Sequence, residues 1–365
     1  MKYLILISFL ILIGCKKEDE TPTPDPITET EMYFPPTDSD DWSSKSPENL
    51  NWNIDELENL YDFLEDGQTR AFIILKNGEI VVEKYWGNNI FDTQPFDQNT
   101  QWYWASAGKT LTATLTGIAQ EEGLLNIDDK SSDYLGSNWS SLPLEKENLI
   151  TVKHHITMTT GLDYNVTNQN CTEPSCLTYL ADAGTQWYYH NAAYTLTQNI
   201  ITNATGMSYD DYTNQAIESH IGMSGTWFPL DDLVIYWSTA RDAARFGLLL
   251  LNEGHWGQTP VLNDPDFFHD MTNTSQDLNK SYGYLTWLNG KSSIIFPGLP
   301  NSFPFPLSEN APDDCYAAMG KNGQYIDMIP SKGLVIIRMG QAPDESFVPT
   351  AFHDEIWQKI NAVIP

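Results

Sequence analysis

The order of its secondary-structure signals constrains this chain more than any single motif. Segments that read as strands lie at both ends of the 365 residues, and segments that read as helices fill the middle. Near the start, Asn53 is placed to cap a helix carrying Ile54, Leu57, Leu60, Tyr61 and Leu64 at helical spacing, with Gly67 as its stop. Ala71 to Leu75 and Ile80 to Tyr85 follow, joined by Asn77-Gly78, a dipeptide that reaches positive φ easily and so closes a tight hairpin. At the far end, Gln324 to Ile329 and Leu334 to Met339 read as strands around the turn Pro330-Ser331-Lys332-Gly333. The second of these is continuously apolar, as a central buried strand should be. A last helix places Phe352, Ile356, Ile360 and Val363 on one face. Between about 106 and 250 the apolar spacing is helical, as in Leu111, Leu115, Ile118 and Ala119, or Leu196, Ile200 and Ala204. Residues 255–312, rich in Pro, Asn, Ser and aromatics, read as loops and short strands. The expected fold class is therefore α+β: one antiparallel sheet built from both chain ends, flanking terminal helices, and an inserted all-helical subdomain at about 106–250.

Met1-Lys2 followed by the apolar run Leu4 to Ile13 is too short to span a bilayer but suits a signal-peptide core. The run ends Leu12-Ile13-Gly14-Cys15, which resembles the lipobox of bacterial lipoproteins. That resemblance implies removal of residues 1–14, lipidation of Cys15 and attachment to a membrane of the cell envelope. Lys16-Lys17-Glu18-Asp19-Glu20 is similar to surface-export signals of some Gram-negative lipoproteins, so the expected location is the outer membrane, facing periplasm or surface. Residues 15–45, rich in Thr, Pro, Asp and Glu, read as a disordered tether, leaving 46–365 as the folded domain. With 49 acidic against 19 basic residues the net charge is −30, which repels a phosphate backbone and argues against a nucleic-acid partner. In an oxidising envelope compartment Cys171 and Cys176 are placed to close a small disulfide loop, with Cys315 left over.

The chemistry begins at Trp104-Ala105-Ser106-Ala107-Gly108-Lys109. Ser-x-x-Lys puts a hydroxyl and an amine one turn apart on the same helix face. A desolvated lysine has a lowered pKa and can take or relay the serine proton. This is the only Ser-x-x-Lys in the chain. Gly184-Thr185-Gln186-Trp187-Tyr188-Tyr189-His190-Asn191 then resembles the Pro-Gly-Thr-x-Phe-x-Tyr-Ser-Asn element of the class C β-lactamase, DD-peptidase and esterase family. Gly123 to Asp129, Ile156 to Leu162 and Ser238 to Asp242 resemble that family's connecting segments. A second Tyr-x-Asn, at Tyr212 and Asn214, lacks the Gly-Thr lead-in and reads as structural.

The resemblance covers about residue 50 to the end. It implies a β-lactamase/transpeptidase-like fold, Ser106 as nucleophile, Lys109 and Tyr189 as proton carriers, Asn191 as a positioning amide, and no metal or organic cofactor. The family's Lys-Thr-Gly is absent. Counting back from the Gly-x-Tyr-x-x-x-Ile-Pro pattern of Gly323 to Pro330, its place falls on Cys315-Tyr316-Ala317, which makes Tyr316 and Ala317 expected substrate contacts and Ala318 the expected second oxyanion donor. A related branch, the nylon-oligomer hydrolases and some esterases, has a run similar to Gly320-Lys321-Asn322-Gly323-Gln324. Without a lysine to bind the carboxylate of a β-lactam or of a terminal D-alanine, and with Lys321 the one candidate replacement, an ester or amide is the favoured substrate. The alternatives are a β-lactamase, a D-Ala-D-Ala carboxypeptidase, or a non-hydrolytic peptidoglycan-binding sensor. No Gly-x-Ser-x-Gly or His-Glu-x-x-His occurs, and adjacent His154 and His155 point to different faces, which argues against an α/β-hydrolase and against a zinc site.

Overall fold

The two chain ends meet in one sheet. A computed structural model of the protein describes residues 32–344 and 346–365, so Cys15, the leader and the first part of the tether lie outside the described residues. Helix α1 (Ile54–Asp66) leads into β1 (Thr69–Lys76) and β2 (Glu79–Tyr85). The short strand β3 (Trp102–Tyr103) precedes α2 (Gly108–Glu121), and α3 (Asn191–Thr205) follows after several one-turn helices. A hairpin of β4 (Gly225–Leu230) and β5 (Leu233–Ser238) comes before α4 (Ala240–Leu251). The chain closes with β6 (Trp287–Leu288), β7 (Tyr316–Gly320), β8 (Gln324–Ile329), β9 (Leu334–Gly340) and α5 (Thr350–Val363). The central sheet has the order β2-β1-β9-β8-β7-β6 and is antiparallel throughout.

The pairing that joins the ends is β1 with β9, in register at Ile73↔Ile337. Both strands are apolar on both faces because helices cover both sides. On one face lie the terminal helices: Asp327 Oδ2 of β8 is 2.8 Å from both His353 Nε2 and Trp357 Nε1 of α5. On the other face α4 comes so close that a Cβ at Gly247 would meet Val335 at 2.5 Å. The predicted N-cap at Asn53 is present, accepting from Glu56 N–H, and Asn77 and Gly78 take the positive φ values their turn needs.

Two expectations change. Residues 32–45 are not tether. Tyr33 N–H bonds Asn77 O at 2.9 Å, Trp42 Nε1 donates to Gly78 O at 2.7 Å, and the Phe34 and Trp256 rings meet edge to face. Three large apolar side chains, Tyr33, Phe34 and Trp42, overcome the polar composition around them. The insertion at 106–250 is also not purely helical, because β4 and β5 pair within it and, with β3 just before it, form a small sheet. Its strands are rich in β-branched and aromatic residues, and Asp231 makes the turn at φ 51°.

Candidate active site

The Ser106 segment is anchored before it turns. Trp104 N–H donates to Tyr236 O at 2.8 Å and its indole donates to Ser238 Oγ at 2.9 Å. Trp102 Nε1 reaches Gly340 O at the end of β9, at 3.2 Å. Trp102, Trp104, Trp187 and Tyr188 are all buried, so these aromatics are core and not an open substrate wall. Ala105 takes a left-handed φ of 48°, a conformation that costs a non-glycine residue on the order of 1 kcal/mol or more. Ser106 follows in the single turn Ala105–Ala107, which runs into α2 at Gly108.

The side chains singled out in the sequence converge. Lys109 is buried at 2% exposure, with Nζ 2.9 Å from Ser106 Oγ and 3.0 Å from Asn191 Oδ1. It also lies 4.9 Å from the Tyr189 ring centre and 4.3 Å from that of Tyr194. Burial lowers its pKa to about 7, so much of it is a neutral amine at neutral pH. Burial acts the opposite way on Tyr189 and raises its phenol, against a smaller lowering by the Ser106 hydroxyl. The Tyr189 hydroxyl faces Ser106 but makes no full hydrogen bond within the protein. Desolvation thus disfavours both ions, and the ground state it favours is neutral amine beside neutral phenol. Tyr212 and Asn214 of the second Tyr-x-Asn bond Glu122 and Glu218 and take no part in this cluster.

Strand β7 delivers a different residue from the expected one. A Cβ at Gly320 would lie 3.0 Å from Ser106 N and would clash with Trp104 O, so the strand end at Gly320 abuts the Ser106 turn. The hydrogen-bond directions follow from two observations. Asn289 N–H of the β6 side bonds Cys315 O at 2.8 Å, and Gly323 N–H of the β8 turn bonds Gly320 O at 3.2 Å. Successive residues of a strand alternate between the two edges. Residues 316, 318 and 320 therefore face β8, while 315, 317, 319 and 321 face the edge that β6 covers only as far as Ala317↔Trp287. Ala318 spends its N–H in the ladder opposite Ile326 and is not the oxyanion donor. Met319 and Lys321 flank Gly320 on the uncovered edge.

Tyr316 and Ala317 are also not substrate contacts. Tyr316 Oη donates to Leu250 O of α4, and Ala317 is wholly buried. Cys315 is buried, and burial raises its thiol. At about 3.4 Å per residue it lies roughly 17 Å down the strand from Gly320. The turn after Gly320 is braced from below: Arg338 Nη1 donates to Asn322 O at 2.6 Å and Gly323 O at 2.8 Å, and Gln324 Nε2 to Lys321 O at 3.1 Å. Asn322 Nδ2 in turn donates to Tyr103 Oη at 2.7 Å, tying the turn to β3, the strand that precedes Ser106. Counting back from Ile-Pro misplaced this register, whereas Gly320 to Gln324 as a unit marked it.

A family described as Beta-lactamase matches residues 64–353, most of the chain. The chain belongs to that family. An uncharacterized protein of Alkalihalophilus pseudofirmus is 24% identical over 307 residues, covering 75% of this chain and 84% of its own. A Bacillus subtilis protein named as penicillin-binding protein PbpX is 27% identical over 198 residues, 51% of this chain and 48% of that one. Among solved structures, a Bacillus anthracis protein named as a 6-aminohexanoate-dimer hydrolase superposes with TM-score 0.68 at 18% identity, over 90% of this chain and 89% of that one. A penicillin-binding protein homolog from Caulobacter crescentus gives TM-score 0.65 at 14% identity, over 84% and 97%. The shared architecture is the β-lactamase/transpeptidase-like α+β fold expected from the sequence. The Cys171–Cys176 disulfide is formed, and Cys315 is free.

Proposed function

We propose that this member of the beta-lactamase family is a serine hydrolase that cleaves an ester or amide through an acyl-enzyme on Ser106. The observation that carries the reading is the placement of a buried, readily neutral Lys109 amine between Ser106 Oγ and Asn191 Oδ1. Lys109 accepts the Ser106 proton as Oγ attacks the substrate carbonyl carbon. The oxyanion that forms is held by the N–H of Ser106 and an N–H on the uncovered edge of β7 beside Gly320. The C–O or C–N bond then breaks, and the leaving group takes the proton from Lys109 by way of Tyr189. Water attacks the acyl-enzyme, gives its proton to the same relay, and releases the acid product with Ser106 regenerated.

The substrate is neutral at the position where β-lactams carry a carboxylate. The residues of β7 that lead to the nucleophile, Ala317-Ala318-Met319-Gly320, hold no cation, and the net charge of −30 opposes an anion. The names of the relatives favour a second reading, penicillin binding or hydrolysis, with Lys321 as the anion contact. A fluorophosphonate probe should label wild type and not Ser106→Ala. Steady release of p-nitrophenol from a short acyl ester, without turnover of nitrocefin, is the expected pattern. Nitrocefin turnover lost in Lys321→Ala would establish the second reading, and no labelling at all would leave a non-hydrolytic binder. The lipobox reading places the enzyme on an envelope membrane, and metabolic labelling with a fatty-acid analogue that disappears in Cys15→Ser is the corresponding test.

A further inference from the structure

Asn191 faces two partners, and its amide can face them correctly in only one of two orientations. Its Oδ1 accepts from Lys109 Nζ at 3.0 Å, so its Nδ2 must point the other way. There it meets Asn170 Oδ1 at 2.9 Å. A carboxamide has nearly the same shape after a half-turn, but its donor and acceptor exchange places. In the turned form Nδ2 would aim at the Lys109 amine and draw its lone pair away from the Ser106 hydroxyl. The acceptor opposite Nδ2 makes turning Asn191 alone unfavourable, because it would set two oxygens against each other, so the turned form requires the Asn170 amide to turn as well.

Asn170 is held by a dense local network. Its N–H donates to Asn168 Oδ1 at 3.0 Å, and Asn168 Nδ2 donates to Asp232 Oδ2 of the β4–β5 turn at 2.6 Å. The preceding residue, Gln169, accepts Ala192 N–H of α3 at 3.0 Å and donates through Nε2 to Tyr164 O at 2.8 Å and Tyr188 Oη at 3.2 Å. The rings of Tyr164 and Tyr188 stack at 3.9 Å. The following residue is Cys171, bonded to Cys176. Between 163 and 180 the only helical turn is Pro174–Cys176, so this loop is held by side chains, the disulfide and a few backbone bonds such as Asp163 N–H to Thr178 O at 2.9 Å.

We propose that Asn170 is a positioning residue for the reaction: it locks the Asn191 amide in the orientation that leaves Lys109 free to serve Ser106, and the Cys171–Cys176 disulfide keeps it in place. This rests on the reading of Lys109 as the base. Asn170→Ala frees the amide to turn, and kcat falls about tenfold, the effect of one lost hydrogen bond, with little change in KM. The turned amide donates to the neutral amine and favours it, so the acid limb of the kcat–pH profile moves to lower pH. Asn170→Asp keeps the acceptor and adds a negative charge, so kcat at high pH is retained and the acid limb moves to higher pH.

The experiment is the kcat–pH profile of p-nitrophenyl ester hydrolysis for wild type, both Asn170 variants, Cys171→Ser/Cys176→Ser and its combination with Asn170→Ala, with a separate portion of each protein tested for labelling by fluorophosphonate. Opposite shifts for Ala and Asp, which mere loosening of the loop would not produce, support the proposal. So does a loss of kcat in the cysteine variant that vanishes when Asn170 is already Ala. A labelled wild type whose Ala and Asp variants keep its kcat and acid limb, or shift them in the same direction, overturns this proposal alone. A wild type that takes no probe overturns the hydrolase reading and this proposal with it.

Discussion

Replacing Lys109 by Met tests the central electrostatic argument through stability as well as activity. Burial lowers the Lys109 pKa from 10.5 to about 7. Each pKa unit corresponds to about 1.4 kcal/mol, so carrying the charge in the folded state at pH 6 costs on the order of 5 kcal/mol. The sign follows from proton counts: between pH 7 and 10.5 the unfolded chain holds a proton on this lysine that the folded chain does not. Wild-type stability therefore rises with pH across that window, by roughly 2–3 kcal/mol between pH 7 and 9 from this group. Met binds no proton and lacks the rise, while every other titrating group is common to both proteins and cancels in the difference. Met also leaves Asn191 Oδ1 without its donor, at about 1–3 kcal/mol. Urea unfolding should then find the Met variant more stable than wild type by roughly 2–4 kcal/mol at pH 6, with the advantage gone by pH 9. Ester hydrolysis should be lost in the variant, and wild-type kcat/KM should rise through about pH 7. A stability difference that does not vary between pH 6 and 9 would refute a lysine titrating near 7, and with it the neutral amine as base.

Gly320→Ala places a methyl against Trp104 O and Ser106 N. The strand must shift from the nucleophile, so kcat should fall at least tenfold, the usual consequence of a misplacement near 1 Å, while a thermal melt moves by only a few degrees. Cys315→Ala, far down the same strand, should keep full esterase activity and lose about 1 kcal/mol in urea unfolding from a small cavity. Loss of activity there, with the fold intact, would restore the register in which Cys315 lies at the site. Deleting residues 32–45 should destabilise the protein measurably in the same assay, since Tyr33, Phe34 and Trp42 are seated on the domain. A disordered tether would be removed without effect.

The fold was largely legible because its decisive signals are local. Asn77-Gly78 can only turn, the Leu334–Met339 run can only be buried, and the terminal helices show one apolar face each. What escaped depended on partners distant in sequence. Tyr33 and Trp42 sit in a polar, proline-rich stretch, and nothing within it shows that Asn77 and Gly78 wait to receive them. The β4–β5 hairpin has strand-like aromatic and β-branched content but stands between segments of helical period.

The site divides the same way. Ser106 and Lys109 are one helical turn apart, and Tyr189 and Asn191 share the entrance to one helix, so spacing alone joins each pair. The register of β7 has no such internal ruler, because a strand shifted by two or three residues keeps an acceptable apolar pattern. Only the close approach of Gly320 to the Ser106 backbone fixes it. That correction moves the position of the absent lysine from Cys315 to the residues just before Gly320, and these are Ala318 and Met319. Both registers put an uncharged side chain there, which favours a neutral substrate although Cys315 does not lie at the site. Asn170 shows the complementary limit: a lone asparagine 21 positions before Asn191 signals nothing until the amide between them has a donor and an acceptor to assign. The place of Gly320 exists in a close backbone approach, and the role proposed for Asn170 in a hydrogen-bond direction; folding creates both.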